Sequence, residues 1–157
     1  MKIFIGTDHA GYGLKDKLVT SLKEQGHEVV DKGAYEYDET DDYPDFSIAV
    51  AREISKNSDG SMGIILGATG EAEAITANKF PHVRAIVYYG EAPRVVDDEA
   101  NIIIRSRDHN NSNILCLAVR YLTEEMALKA MNLWLKTSYG GGEKHIRRLS
   151  KIDKIKV

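Results

Sequence analysis

The sequence contains almost no cysteine: Cys116 is the only one among 157 residues, and it lies in the apolar run NILCLAV. This excludes a disulfide framework and a multi-cysteine metal site within one chain. A reducing compartment suits such a chain, so we expect a cytoplasmic protein. No apolar run approaches the length of a membrane span, and the apolar part of the N-terminal segment MKIFIGTDHAG is too short for a signal peptide.

A strong charge of either sign is also absent. The 21 basic and 24 acidic residues give a formal net charge of −3 and are spread along the chain. This balance offers no overall attraction to nucleic acid or to an anionic membrane, so any anion site must be local. The length fits a single domain, assigned to residues 1–157, and a chain of this size buries roughly 70% of its unfolded surface.

Short apolar runs alternate with helical patterns along the chain. Five runs are predicted as strands: KIFIG (2–6), HEVVD (27–31), MGIIL (62–66), RAIVY (84–88) and NILCLAV (113–119). Apolar residues four apart predict helices around residues 14–22 and 46–54, and further helices follow Thr123 and the glycines at 140–142. The alternation predicts an α/β fold: a doubly wound three-layer sandwich with a five-stranded parallel sheet, Rossmann-like.

Ligands of open parallel sheets bind beyond the carboxyl ends of the strands, and three such loops carry chemistry. They are TDHAG, KGAYEYDETDDYPDF and GATGEAE. In GATGEAE, Gly67 and Gly70 leave backbone N–H groups free to approach an anion, and the helix that follows adds positive potential. An ordinary strand-to-helix turn with solvated glutamates has the same pattern. Glu71 and Glu73 lie two residues apart, on nearly opposite sides of a helix, so at most one faces a ligand.

The first two loops allow two interpretations each. Asp8 and His9 can supply an acid or a base beside GATGEAE if strands one and three are neighbours, but Asp8 as a helix cap with His9 packed beside it explains the same residues. Pro44 fixes its own φ and restricts Tyr43, which predicts a turn at 41–45. The phenol there can nevertheless hydrogen-bond a sugar hydroxyl.

Imidazole and basic side chains mark the second half of the chain. His109 lies in the polar stretch SRDHNNSN, where a solvated histidine is the simpler explanation. In the final helix, Lys144 and Arg148 lie four residues apart with His145 between them, so several donors can reach one phosphate from one face. A solvated basic helix has the same pattern. Arg120, just past the fifth strand, can join such a site by position.

Taken in order, five segments resemble the ribose-5-phosphate isomerase type B family, whose relatives include the galactose-6-phosphate isomerase subunits. The segments are GTDHAGYGLK (6–15), KGAYEYDETDDYPDF (32–46), GATGEAEAITANK (67–79), SRDHNNSN (106–113) and KHIRRLSKI (144–152). The resemblance covers nearly the whole chain. It implies an aldose–ketose isomerase that acts on a small phosphorylated sugar through an enediolate, with no metal and no other cofactor.

The resemblance also implies roles for individual residues. Many members carry a cysteine base at the position of Gly67, whereas this chain resembles the subclass in which a glutamate six residues later, Glu73, removes the proton. The implied catalytic residues are Glu73, His109 for ring opening, Thr69 for moving protons, and Asp8. The implied substrate-binding positions are His9, Tyr43, Gly67, Ala68, Gly70, Ala72, Asn110, Arg120, Lys144, His145 and Arg148.

Family members build the site across a dimer, so the resemblance implies a homodimer, possibly a tetramer, joined in part by the C-terminal helix. His109 and several phosphate ligands then face Glu73 of the other subunit. Ala72 in place of a glycine, Glu71 beside the anion hole, Lys144 in place of an arginine and a long segment 91–104 depart from the family pattern. Two alternatives follow: an isomerase of a six-carbon or modified sugar phosphate, and a non-catalytic sugar-phosphate-binding module.

Overall fold

The computed structural model of the chain describes residues 1–90 and 101–155. Five parallel strands form one sheet in the order β2-β1-β3-β5-β4. They are β1 (Lys2–Thr7), β2 (Glu28–Asp31), β3 (Ser61–Gly67), β4 (Ala85–Tyr88) and β5 (Ile114–Ala118). Each end lies within one residue of the predicted run, and the predicted α/β class with a five-stranded parallel sheet is confirmed.

Helices cover both faces of the sheet. They are α1 (Tyr12–Glu24), α2 (Tyr43–Lys56), α3 (Glu71–Ala77), α4 (Ile102–Asp108), α5 (Glu124–Lys136) and α6 (Glu143–Ile152). Because successive side chains of a strand point to opposite faces, Ile3 and Ile5 pack with α1, α4 and α5, whereas Phe4 packs with α2 and α3. These two apolar cores give the three layers. Helix α6 contributes no buried residue to either core.

The ends of the helices can be compared with the capping and turn residues in the sequence. The Thr123 hydroxyl caps α5 by accepting a hydrogen bond from the Met126 amide, as its position before the helix predicts. The turn predicted at 41–45 is instead the start of α2, where Pro44 occupies the first turn and loses no helical hydrogen bond. Helix α4 was not predicted; Asn101 caps it. Most of the segment 91–104 lies outside the described residues.

The strand register places the candidate loops at two edges of the sheet. Strands β1 and β3 are neighbours, with Thr7 paired to Leu66, and Gly67 is paired to Ala118 of β5. The carboxyl ends of these three strands therefore meet at one edge, which brings the loops after them together. His109 precedes β5 and so belongs to the opposite, amino-terminal edge. Within residues 1–90 and 101–155, no helix is both long and apolar enough to cross a membrane.

Candidate active site

Glu73 is the buried carboxylate of the carboxyl edge. The chain leaves β3 at Gly67 and turns into α3 through Gly70, whose φ of 73° lies in the left-handed region that glycine adopts without strain. Glu73 is 3% exposed, whereas Glu71, two residues earlier, is exposed. The spacing predicted this difference between the two glutamates.

Gly67 provides the space that the Glu73 carboxylate occupies. A Cβ atom on Gly67 would overlap the carboxyl carbon and both carboxyl oxygens of Glu73. The carboxylate thus lies directly against the end of β3, at the start of the glycine loop. The carbonyl groups of Gly67 and Ala68 accept hydrogen bonds from the backbone N–H groups of Val119 and Arg120, at 3.0 and 3.1 Å, which holds this loop against the end of β5.

The environment of Glu73 favours its protonated form. Its Oε2 atom is buried and has no hydrogen-bond partner in the described part of the chain. Burial raises the pKa of Glu73, and the negative charge of the nearby Asp8 raises it further. A buried carboxyl group with a raised pKa and an unused oxygen is typical of a general base that exchanges a proton with a ligand.

Asp8 caps a turn and is also buried close to Glu73. Its carboxylate accepts a hydrogen bond from the Ala10 amide at 3.0 Å and caps the short turn His9–Gly11, as the structural interpretation predicted. It is also 7% exposed and lies close to Glu73. Burial raises the pKa of Asp8, the hydrogen bond from Ala10 and the charge of His9 lower it, and Asp41 raises it again.

His9 is held by a residue to which the sequence analysis gave no role, Asp41. The Asp41 Oδ1 atom accepts a hydrogen bond from the His9 backbone N–H at 3.1 Å and lies 2.6 Å from His9 Nδ1. This contact raises the pKa of His9, while burial and the positive charge of Arg120 lower it. The charge of Arg120 thus acts on His9 at the edge that carries Glu73.

Tyr43 and Thr69 also lie on this side of the fold. Tyr43 is the first residue of α2, which packs on β1 and β3, and its side chain is 37% exposed. Thr69 lies half-buried between β3 and α3, and Ala72 is half-buried in the first turn of α3. Glu71 is exposed, so solvent screens part of its charge.

The other predicted residues form a second cluster at the amino-terminal edge. His109 follows α4, and its ring stacks on that of His145 from α6, with centroids 4.2 Å apart and planes at 14°. His109 Nε2 lies 2.9 Å from Arg105 Nη1. Burial, followed by the charges of His109, Lys144 and Arg148, lowers the pKa of His145. Asn110, Lys144 and Arg148 are exposed.

The two clusters are separate within one chain. His109 precedes β5 and Arg120 follows it, and a strand rises about 3.3 Å per residue, so β5 alone separates them by about 13 Å. One chain therefore brings Glu73 together with Asp8, His9 and Arg120, but not with His109, His145 or Arg148.

The acidic groups around His9 have the composition of a cation site. Ligand atoms of Asp8, His9 and Asp41 lie within 4.8 Å of one another, the one such group among the described residues. His9 and Asp41 are already joined through Nδ1 and Oδ1, which partly satisfies their charges without a cation.

Comparison with known proteins decides which family this arrangement belongs to. A profile of the ribose/galactose isomerase family matches residues 3–152. The chain belongs to this family. Ribose-5-phosphate isomerase B of Mycobacterium tuberculosis is 36% identical over 149 residues, which cover 95% of this chain and 86% of that protein.

Solved structures of the ribose/galactose isomerase family agree with the fold. Ribose-5-phosphate isomerase B of Mycoplasma genitalium, with bound ribulose-5-phosphate, superposes with a TM-score of 0.89 at 37% identity, covering 98% of this chain and 94% of that one. The Clostridium thermocellum enzyme gives 0.85 at 38% identity, with 98% and 96% covered. The resemblance based on the five motifs is confirmed, and the chain is an isomerase of this family.

Proposed function

We propose that this isomerase interconverts ribose 5-phosphate and ribulose 5-phosphate through an enediolate, with Glu73 as the base. The observation that carries the proposal is the buried Glu73 carboxylate, held against Gly67 with one oxygen that has no hydrogen-bond partner in the described part of the chain. The names of the relatives and the ribulose-5-phosphate bound to one of them support this choice of substrate.

Aldose–ketose isomerisation moves a proton between C2 and C1 of the open-chain sugar. One base that reaches both carbons is sufficient, because it removes the proton from one and returns it to the other. The raised pKa of Glu73 makes it a stronger base than a solvated glutamate, and Oε2 has no hydrogen bond to a described residue that would have to break first. Cys116 is an unsuitable base because it is fully buried, and burial raises the pKa of its thiol well above the ordinary value.

The charge that develops on the sugar oxygens requires hydrogen-bond donors. The backbone N–H groups of Ala68, Thr69 and Gly70 donate no hydrogen bond to any described residue. They follow β3 directly and lie in the loop that precedes α3, the helix that carries Glu73. In the proposal they stabilise the enediolate oxygens, while the Thr69 hydroxyl relays a proton between O1 and O2.

The remaining roles divide between two copies of the chain. Asp8 and Tyr43 bind sugar hydroxyls, and His9 and Arg120 bind the phosphate from the chain that supplies Glu73. His109, with Asn110 beside it, assists ring opening, and Lys144, His145 and Arg148 bind the phosphate from the second chain. The separation of the two clusters supports this division, as does α6, which has no buried residue. The assembly proposed is a homodimer.

The test compares wild type with two neighbouring glutamate variants. Conversion of ribose 5-phosphate is measured in the presence of EDTA for wild type, Glu73→Gln and the matched control Glu71→Gln. General-base catalysis contributes about 10²- to 10⁴-fold, so Glu73→Gln should lose at least about 100-fold in kcat. Glu71→Gln, which changes an exposed side chain, should stay within about threefold of wild type.

Other outcomes would change specific parts of the proposal. Equal losses in both variants, or an active Glu73→Gln, would remove Glu73 as the base. Inactivity of wild type on ribose 5-phosphate, together with exchange of a C–H proton of galactose 6-phosphate in deuterated water, would change the substrate to a six-carbon sugar. The second arm is included because the matched family covers both ribose and galactose isomerases.

A further inference from the structure

Asp41 has no role in the proposed function, but it forms a pair with His9. Asp41 lies 32 residues beyond His9, in the segment between β2 and α2, and its Oδ1 atom contacts both the backbone N–H and Nδ1 of His9. The Asp41 side chain is only 10% exposed. Its Oδ2 atom is buried and has no hydrogen-bond partner in the described residues. Within that part of the chain, the Asp41 carboxylate therefore forms its contacts with His9, through Oδ1.

This pairing fixes the orientation of the His9 ring. Because Nδ1 faces Asp41, Nε2 lies on the opposite side of the ring, and it has no hydrogen-bond partner among residues 1–90 and 101–155. The Tyr37 ring meets the His9 ring edge-to-face, with centroids 6.4 Å apart. One segment, residues 32–42, therefore holds the imidazole by a hydrogen bond and by an aromatic contact.

The segment that carries Asp41 is itself anchored. The buried Lys15 ammonium donates hydrogen bonds to both carboxylate oxygens of Asp31, at 2.9 and 2.8 Å, and to the Ala34 carbonyl at 2.6 Å. The Thr7 N–H donates to the Gly33 carbonyl at 2.9 Å. The start of the segment 32–42 is thus fixed beside β1, and the contacts of Asp41 with His9 hold its end there.

The charged groups that face His9 come from three parts of the chain. Asp8 belongs to the same turn, Asp38 and Asp41 belong to the segment 32–42, and Arg120 follows β5. The hydrogen bond to Asp41 is the largest effect and raises the pKa of His9, whereas burial and Arg120 act in the opposite direction. Arg120 and His9 in its protonated form both carry positive charge, which suits a dianionic phosphate.

We propose that Asp41 is the positioning residue for His9: it orients the ring so that Nε2 faces the substrate phosphate. This role rests on the proposed function, because it takes a phosphosugar as the ligand. Asp41 itself touches neither the phosphate nor the reacting carbons, so its loss should weaken phosphate binding more than proton transfer.

The first experiment measures the charge of His9 without catalysis. Full-length ¹⁵N-labelled wild type, Asp41→Asn and the control Asp38→Asn are titrated with pH by histidine side-chain NMR, with and without inorganic phosphate. The His9 signals are assigned by their loss in His9→Gln. We expect the His9 pKa to fall by about one unit in Asp41→Asn, since a charge-assisted hydrogen bond is lost, and to change little in Asp38→Asn. An unchanged His9 titration in Asp41→Asn overturns the proposal.

The second experiment separates positioning from a general structural effect. In Asp41→Asn, KM for ribose 5-phosphate should rise about tenfold at pH 7.5 while kcat stays within about threefold, and the rise in KM should begin at a lower pH than in wild type. Asp41→Glu, which restores the charge, should recover part of the KM. A fall in kcat at unchanged KM would overturn the positioning role.

The two arms also separate this proposal from the proposed function. A wild-type protein that is inactive on ribose 5-phosphate, but whose His9 signals shift with phosphate only when Asp41 is present, would refute the substrate and retain the role of Asp41. An active wild type with no phosphate-dependent shift of His9 would retain the substrate and refute that role.

Discussion

Substituting Gly67 with alanine tests whether catalysis depends on the space beside the end of β3. The added Cβ would overlap the Glu73 carboxylate. Strand β3 is held on both sides, with Leu66 paired to Thr7 and Gly67 paired to Ala118, so the Glu73 side chain must move instead of the strand. Overpacking of this kind costs about 1–3 kcal/mol of the free energy of unfolding. Displacing a catalytic group by about 1 Å costs about 100-fold, so we expect kcat of Gly67→Ala to fall by about that factor.

The assay measures ribulose 5-phosphate formation and urea unfolding for Gly67→Ala, with Gly13→Ala as the matched control. A Cβ at Gly13 meets no atom within 4 Å, and alanine in a helix is favoured over glycine by roughly 0.5–1 kcal/mol, so the control should keep its activity and gain stability. The destabilisation by Gly67→Ala should be smaller in a Glu73→Ala background, because the overlapping carboxylate is gone. Wild-type kcat and stability in Gly67→Ala would refute the placement of Glu73.

Three further predictions follow from the same geometry. Mixing the inactive variants Glu73→Gln and His109→Asn under conditions of subunit exchange should restore about a quarter of wild-type activity, because random pairing gives half the dimers one intact site; no recovery would place each site within one chain. In Asp8→Asn, the acidic limb of the kcat/KM profile should move to lower pH, because Glu73 acts deprotonated and loses the charge that raises its pKa; an unmoved limb contradicts this coupling. Iodoacetamide should leave wild-type activity unchanged, since Cys116 is fully buried and the pKa of its thiol is raised; rapid inactivation would point to a thiol-dependent site.

The three inner strands were predictable from the sequence because they are buried. A parallel strand covered on both faces has a near-continuous apolar run, as β1, β3 and β5 show. Strands β2 and β4 are only partly buried, and their runs HEVVD and RAIVY include charged residues. Helix α4 was missed because its seven residues, IIIRSRD, begin with three consecutive apolar residues and show no helical period. Tertiary contacts determine which of its side chains are buried: Ile103 packs in the core, whereas Ile102 is exposed.

In the candidate site, the sequence predicted the burial of a side chain only where the spacing of residues along a helix determines it. The two-residue spacing of Glu71 and Glu73 predicted that only one of them faces inward, and the structure shows Glu73 buried. Asp41 had no comparable signal, because it lies in the acidic stretch DETDDYPD, where every carboxylate looks alike in sequence. The path of residues 32–42 back to β1 selects Asp41 as the partner of His9, and that path depends on contacts with Thr7 and Lys15.

In the proposed function, the two edges of the sheet supply complementary parts of one site. Within the described residues, the carboxyl edge has the buried Glu73 carboxylate but no stacked imidazoles, and the amino-terminal edge has the His109–His145 pair with no buried carboxylate of its own. Helix α6 has no buried residue. Asp153, just after the helix, has its Oδ1 atom 3.8 Å from Arg84 Nη1, and His145 in the first turn stacks on His109. A helix of ten residues is marginal without packing, so a partner surface would stabilise it. A two-fold axis would bring the amino-terminal edge of each chain to the carboxyl edge of the other. This arrangement would cover both α6 helices and complete two sites at once. Restored activity in mixed variants is therefore the decisive observation for the assembly.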